Sequence, residues 1–314
     1  MGIVNVNDDS FYSGSRVSGV RQFNARVRKL FADGADVVDI GACSSRPGSS
    51  YPGVEEEWRR LEPVLEAVHK HFPSSHTTAS AIEPSNDNSS PLPAAGGYTG
   101  PRFSIDTFSA DIVQRAYDII GPFIVNDISA GQSDPELLPL VARLGLPYVA
   151  MHNESPFLLE GKELQPIITQ IAAERLEGTT VCSGSGDYAQ TDIVARVAGF
   201  FRIFEGRAAA AGLSDWILDP GFGFGKDVNE NLELLDRLDE LQCFGREILI
   251  GISRKRMTYQ PLGLTPSDPR TLGETLRLER LAISRGASWI RCHDVNSLLR
   301  ADNSRMPERI CDRR

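Results

Sequence analysis

Several short apolar runs in this chain end on polar side chains of the types that hold and activate small molecules. The stretch Trp216-Ile-Leu-Asp-Pro-Gly-Phe-Gly-Phe-Gly-Lys226 is the clearest case: a strand-like run stops at Asp219, and a glycine- and phenylalanine-rich loop follows. The pattern recurs with Asn5 ahead of Asn7-Asp-Asp-Ser-Phe11, and with Asp39 ahead of Gly41-Ala-Cys-Ser-Ser-Arg-Pro-Gly48. Asp106, then Asn126 and Asp127, then Met151, His152 and Asn153 end three further runs. Ser253-Arg-Lys255 and the group Arg291, His293 and Asp294 complete the set.

These residues divide by chemistry. Asp106, Asn126 and Asp219 are acceptors suited to a flat heterocycle that presents several N–H donors, and Lys255 supplies a donor for a carbonyl or ring nitrogen. Ser45, Arg46, Arg291 and His293 are donors suited to phosphate oxygens. Asn5 beside an aspartate-bearing loop suits Mg2+, an ion that takes few protein ligands and shares the rest with phosphate and water. A ring pocket next to an anion pocket points to a heterocycle joined to a diphosphate. Asp39 reads more readily as a strand-end packing residue, and His152 and Asp294 as supporting residues. Lys226 is expected on the outer loop.

The elements that must position these groups alternate. Apolar, β-branched runs at 3–6, 36–40, 102–105, 122–126, 146–151, 215–219, 247–251 and 288–292 have the character of parallel strands buried on both faces. Helical stripes lie at 20–32 (Val20, Phe23, Val27, Leu30, Phe31) and at 54–70, where Glu55, Glu56 and Glu57 open the helix. Two more occupy 229–241 (Leu232, Leu235, Leu238, Leu241) and 272–285 (Leu272, Leu276, Leu278, Leu281, Ile283). Eight strands alternating with helices over roughly 250 residues, insertions aside, predict a (β/α)8 TIM barrel, and strand C-termini are where such a barrel gathers its site. A doubly wound open sheet is the alternative. Residues 73–101, rich in Ser, Pro, Ala, Asn and Gly, are expected to be a disordered insertion. Residues 177–191 are expected to be a loop insertion and 303–314 a frayed tail, all within one domain spanning 1–314.

Composition sets bounds. Apolar residues make up 41% and charged residues 24%, with a net charge of -9 and a pI near 5.2. That balance argues against a nucleic-acid or anionic-membrane surface. No apolar run nears the roughly 20 residues that span a bilayer. Five widely spaced cysteines without a Cys-x-x-Cys fit reduced thiols, so we expect a cytoplasmic protein. The chain opens directly into the strand-like Met1-Gly-Ile-Val-Asn-Val6, so the expectation is either a misplaced start at Met1 or a bare barrel floor.

Seven motifs, in order, resemble dihydropteroate synthase: Gly2-Ile-Val-Asn-Val with Asp9-Ser-Phe11, Asp39-Ile-Gly with Ser44-Ser-Arg-Pro-Gly48, Ser104-Ile-Asp-Thr107, Asn126-Asp-Ile-Ser129, Asp219-Pro-Gly-Phe-Gly-Phe-Gly-Lys226, Ser253-Arg-Lys255 and Arg291-x-His-Asp-Val295. The resemblance implies a pterin-binding TIM barrel, commonly a homodimer, that uses Mg2+ in folate biosynthesis. It implies a transferase joining 6-hydroxymethyl-7,8-dihydropterin diphosphate to 4-aminobenzoate. By position it assigns the pterin to Asp106, Asn126, Met151, Asp219 and Lys255, and the diphosphate to Ser45, Arg46, Arg291 and His293. It assigns the aminobenzoate to Phe11, Pro47, Phe224 and Ser253, the metal to Asn5, and catalysis to Asp9, Arg46 and Lys255, with Phe222 packing beneath Phe224. Two other classes stay open at this level: a pterin-binding corrinoid methyltransferase, which has no need of the diphosphate donors, and a non-catalytic pterin-binding paralogue. The first loop departs from the family's usual Thr-Pro-Asp-Ser-Phe, and Cys43 stands where a Glu is common.

Overall fold

A computed structural model describes residues 1–6, 19–43, 51–72, 102–155, 157–159, 162–164 and 192–300. The expected insertions at 73–101 and 177–191, the tail at 303–314, and the loop residues Asp9, Phe11, Ser45, Arg46 and Pro47 lie outside the described residues. All eight expected strands are present, as β1 (Gly2–Asn5), β2 (Val38–Gly41), β3 (Phe103–Asp106), β4 (Ile124–Asp127), β5 (Tyr148–Met151), β8 (Trp216–Asp219), β9 (Leu249–Ile250) and β10 (Trp289–Ile290). A short antiparallel pair, β6 (Phe157–Leu159) and β7 (Lys162–Leu164), follows β5 and was not expected.

The strands pair in parallel in the order β1-β2-β3-β4-β5-β8. A parallel bridge from Leu218 to Ile248 carries the sheet on to β9, which pairs with β10. A second bridge, Gly2 to Cys292, brings the last strand back beside the first, with Cys292 N–H donating to Met1 O at 3.0 Å. The sheet is therefore closed, and the (β/α)8 barrel prevails over the open sheet.

Strand side chains alternate between faces, so residues two apart share a face. The outward set, including Val38, Ile40, Phe103, Ile105, Val125, Tyr148, Trp216 and Leu218, packs with the helices in one large cluster. Those helices are α1 (Val20–Ala32), α2 (Val54–His71), α3 (Ala110–Ile120), α4 (Leu137–Leu144), α5 (Ile193–Ala211), α6 (Val228–Asp236), α7 (Arg256–Tyr259), α8 (Pro269–Ser284) and α9 (Val295–Arg300). The inward set forms a separate small cluster of Met1, Val37, Ile124, Val149, Ile217 and Leu249, capped by Trp289. This apolar plug fills the lower barrel. Two residues further along the same strands stand Asp39, Asn126, Met151, Asp219 and Arg291.

Two helical expectations change. The leucines 232, 235, 238 and 241 do not share one helix: α6 ends at Asp236 and a 3-10 segment, Leu238–Phe244, follows. Their uniform three-residue spacing explains the break, because a 3-10 helix has three residues per turn and keeps Leu238 and Leu241 inward. Helix α8 starts earlier than expected, where Asp268 accepts from Arg270 N–H and Pro269 occupies the first turn. Its buried stripe is Thr271, Thr275, Leu278 and Ala282, while Ile283 faces solvent. No helix among the described residues is long and apolar enough to cross a membrane.

Asp127, grouped with Asn126 by sequence, faces outward and serves the fold. Its carboxylate accepts from Ser129 N–H and Gly131 N–H, both at 2.6 Å, and from the Tyr148 hydroxyl at 2.5 Å. It thereby shapes the turn after β4, where Ala130 adopts a positive φ of 49°. Burial pushes the Asp127 carboxyl upward, against those three hydrogen bonds. Replacing Tyr148→Phe removes one donor from a fully buried carboxylate, so we expect a loss of about 1–3 kcal/mol in urea unfolding with ligand binding retained.

Candidate active site

The polar layer above the plug is built around Arg291. Its Nε donates to Asp39 Oδ2 at 2.7 Å, and its terminal NH2 group lies 2.6 Å from Asp39 Oδ2 and 3.2 Å from Asp106 Oδ2. Asp39, which the sequence reading left as a packing residue, is fully buried and holds this guanidinium. It also accepts from Asn126 Nδ2, which is 3.4 Å from each carboxylate oxygen. An ionised carboxylate only accepts, so the amide must turn Nδ2 toward Asp39 and leave Oδ1 for a ligand donor. The motif's two-residue offset from Val37 in the plug was the signal that Asp39 points inward.

Electrostatics follow from burial. Burial opposes the Arg291 charge, but Asp39 and Asp106 outweigh it and hold the guanidinium above its ordinary pKa. Burial raises the Asp106 carboxyl to about 7, with Arg291 opposing and the Asp39, Glu57 and Asp127 carboxylates adding to the rise. Asp219 is likewise raised by burial, against Lys255, a hydrogen bond from Gly221 N–H at 2.8 Å, Arg291 and Lys226. Lys255 is lowered to about 8 by burial, Asp219 partly restoring it.

Lys255 joins this layer to the loop after β8. Its Nζ donates to Phe222 O at 2.5 Å and lies 4.5 Å from the Phe224 ring centroid, a cation–π distance. Phe222 is fully buried and Phe224 half-buried, so Phe224 is the ring left to a ligand. Met151 is buried on the barrel's inner face. Ser253 Oγ lies 3.1 Å from His293 Nδ1, and burial with the nearby Arg291, Arg254 and Arg26 lowers His293 to about 3. His293 is therefore a neutral ring near pH 7. Arg254 pairs with Asp294 at 2.9 Å, which leaves Lys255 as the member of Ser253-Arg-Lys255 turned to the loop.

Asn5, at the end of β1, stands beside Asp106 across Gly41: a Cβ at Gly41 would lie 3.2 Å from Asn5 Oδ1 and 3.6 Å from Asp106 Oδ2. Hard oxygen donors at this spot suit Mg2+. Glu57, read from sequence only as a helix-start acid, is buried beside this layer and accepts from the Tyr51 hydroxyl at 2.6 Å.

Lys226 is a correction. It is buried, not on the outer loop, and its Nζ donates to Gly221 O at 2.9 Å, Phe224 O at 3.2 Å and His152 O at 3.4 Å. Burial lowers its pKa to about 7. A carboxylate–guanidinium cluster lies nearby, in which Arg196 bonds Glu154 at 2.9 Å and Glu230 at 2.7 Å. His152 is fully buried, packed edge-on to Phe200 and lowered to about 4 by burial.

The model of the family described as pterin binding enzyme matches residues 1–78 and 94–293. The chain belongs to this family. The dihydropteroate synthase of Escherichia coli (strain K12) is 31% identical over 303 residues, covering 96% of this chain and 88% of that protein. That of Streptococcus pyogenes serotype M3 is 30% identical over 297 residues, covering 95% and 90%. Among solved structures, the Xanthomonas albilineans dihydropteroate synthase with 4-aminobenzoic acid superposes at a TM-score of 0.68 with 31% identity, covering 96% of this chain and 89% of that one. Asp39 ties Arg291 and Asn126 together in this layer. Removing it by Asp39→Ala leaves a buried guanidinium with Asp106 as its remaining carboxylate among the described contacts. We expect about 3 kcal/mol lost, read as a lower urea midpoint at unchanged slope, with a smaller loss for Asp39→Asn.

Proposed function

We propose that the chain is a dihydropteroate synthase, condensing 6-hydroxymethyl-7,8-dihydropterin diphosphate with 4-aminobenzoate to give 7,8-dihydropteroate and pyrophosphate in folate biosynthesis. The observation that carries this reading is the joint placement of a buried acceptor set and Lys255 against the half-buried Phe224 ring. Asp106, Asn126 and Asp219 accept the pterin N–H groups, Met151 lies along the ring, and Lys255 donates to its carbonyl or ring nitrogen. Phe224 with Ser253, and Phe11 and Pro47 from the loops outside the described residues, form the aminobenzoate side.

In the reaction, the bond between the pterin methylene carbon and the diphosphate oxygen breaks, and its electron pair leaves with pyrophosphate. The ring system delocalises the resulting cation. The aminobenzoate nitrogen then donates its lone pair to the methylene carbon and releases a proton. Arg291 and neutral His293, with Ser45 and Arg46, donate hydrogen bonds to the departing oxygens, so the barrier falls through electrostatic stabilisation and positioning. Asp9 completes the first loop's contribution. Mg2+, held by Asn5 together with diphosphate oxygens and water, would neutralise charge on the leaving group. We extend the reading to a cytoplasmic homodimer on the family resemblance, with the widely spaced cysteines supporting a reducing compartment.

Coupling of the pterin diphosphate to labelled 4-aminobenzoate in the presence of Mg2+ tests the function, and folded protein that yields no dihydropteroate would sink it. Lys255→Ala and Asp219→Ala are expected to lower kcat/KM by about 100-fold or more with the fold intact by circular dichroism. The pH dependence carries a second expectation. Ionised Asp106 is the stronger acceptor and protonated Lys255 the stronger donor, so kcat/KM should rise as pH climbs through about 7 and fall as it passes about 8. Lys255→Arg should push the alkaline limb upward, and an unmoved limb would remove Lys255 from that role.

A further inference from the structure

Lys226 ends the loop after β8 yet lies under it. Three glycines, 221, 223 and 225, take positive φ of 68°, 81° and 72°, folding the loop back on itself. The fold-back brings its backbone onto the segment after β5. A Cβ at Gly221 would sit 1.8 Å from His152 O, and one at Gly225 would sit 2.5 Å from the Glu154 carbonyl carbon. A side chain at Gly221 or Gly225 would collide across this seam, and polar contacts to the loop's main chain hold it alongside the buried Phe222 ring. The Lys226 ammonium carries three donors and places them on three carbonyls, two within the loop and one on the segment after β5. Asn231 of α6 fixes the outer edge: its Oδ1 accepts from Gly223 N–H at 2.7 Å, and its Nδ2 donates to Lys226 O at 3.1 Å.

The opposite side of the same loop faces the site. Lys255 donates to Phe222 O and lies over the Phe224 ring, and a Cβ at Gly223 would be 3.1 Å from Lys255 Cδ. Two lysines thus grip one five-residue turn, Lys226 from the barrel wall and Lys255 from the pocket. Resting on the function given above, we propose that Lys226 is a positioning residue for the aminobenzoate subsite, setting the Phe224 ring through the carbonyls of Gly221 and Phe224. It touches no substrate, because its donors are spent on main-chain oxygens beneath the loop.

Steady-state kinetics of the full chain and its Lys226→Met variant, which keeps the volume and loses the donors, provide the test. The expected result is a rise in KM for 4-aminobenzoate of about tenfold or more, with KM for the pterin diphosphate held within about twofold, since Asp106, Asn126 and Asp219 are seated on strands. Lys226→Gln, which retains two donors, should show the same split at smaller size and serves if the methionine variant fails to fold. A wild-type chain that makes dihydropteroate, with either folded variant showing both KM values unchanged or both raised equally, overturns the inference alone. A folded wild-type chain without product overturns the function and the inference together.

Discussion

The site depends on one buried ion pair. Arg291 and Asp39 meet at 2.6 Å inside the barrel, far from each other in sequence and brought together only when the last strand closes beside the first. Taking two charges out of water is costly unless the remaining donors and acceptors are also used. Here they are: Arg291 reaches on to Asp106, and Asp39 reaches on to Asn126. Two of the three acceptors, Asp106 and Asn126, are thus tied to the same pair. Closure of the barrel and assembly of the pocket are one event, because an open sheet would strand Asp39 without its counter-ion.

Much of this was legible in the sequence because strands obey a simple parity. All eight strands, and the gathering of polar residues at their ends, follow from apolar runs and what terminates them. Parity also separates neighbours that residue type does not. Asn126 and Asp127 both end β4, but Asn126 shares its face with Ile124 of the plug, whereas Asp127 shares its face with Val125 of the helix-packed layer. The same counting from Val37 turns Asp39 inward. The leucine spacing of three at 235, 238 and 241 likewise carried its own 3-10 signature.

What sequence did not show is contact that depends on loop path. Lys226 follows glycines whose positive φ values reverse the chain, and nothing in a Gly-Phe-Gly-Phe-Gly run says which way the next side chain will swing. Its three carbonyl acceptors are main-chain atoms, which leave no trace in residue type. Glu57 shows the same blindness, since three consecutive glutamates look alike while helix α2 exposes Glu55 and buries Glu57 beside the Asp106 strand.

On the proposed function, the arrangement of charge accounts for a neutral ring seated against the acceptors beside an anion. Asp39 is already matched by Arg291, so the deepest charges neutralise each other. Asp106 and Asp219 are pushed upward by burial and gain most from ligand N–H donors that replace the missing solvent. A diphosphate placed at that depth would face those carboxylates and the already committed guanidinium, at a steep electrostatic cost. The neutral His293 ring and Arg291 supply the donors proposed for the diphosphate, whereas Lys255, whose charge Asp219 supports, belongs with the ring. On the proposed function, this division between acceptors and donors would orient a heterocycle carrying a diphosphate with its ring against Asp106 and Asp219.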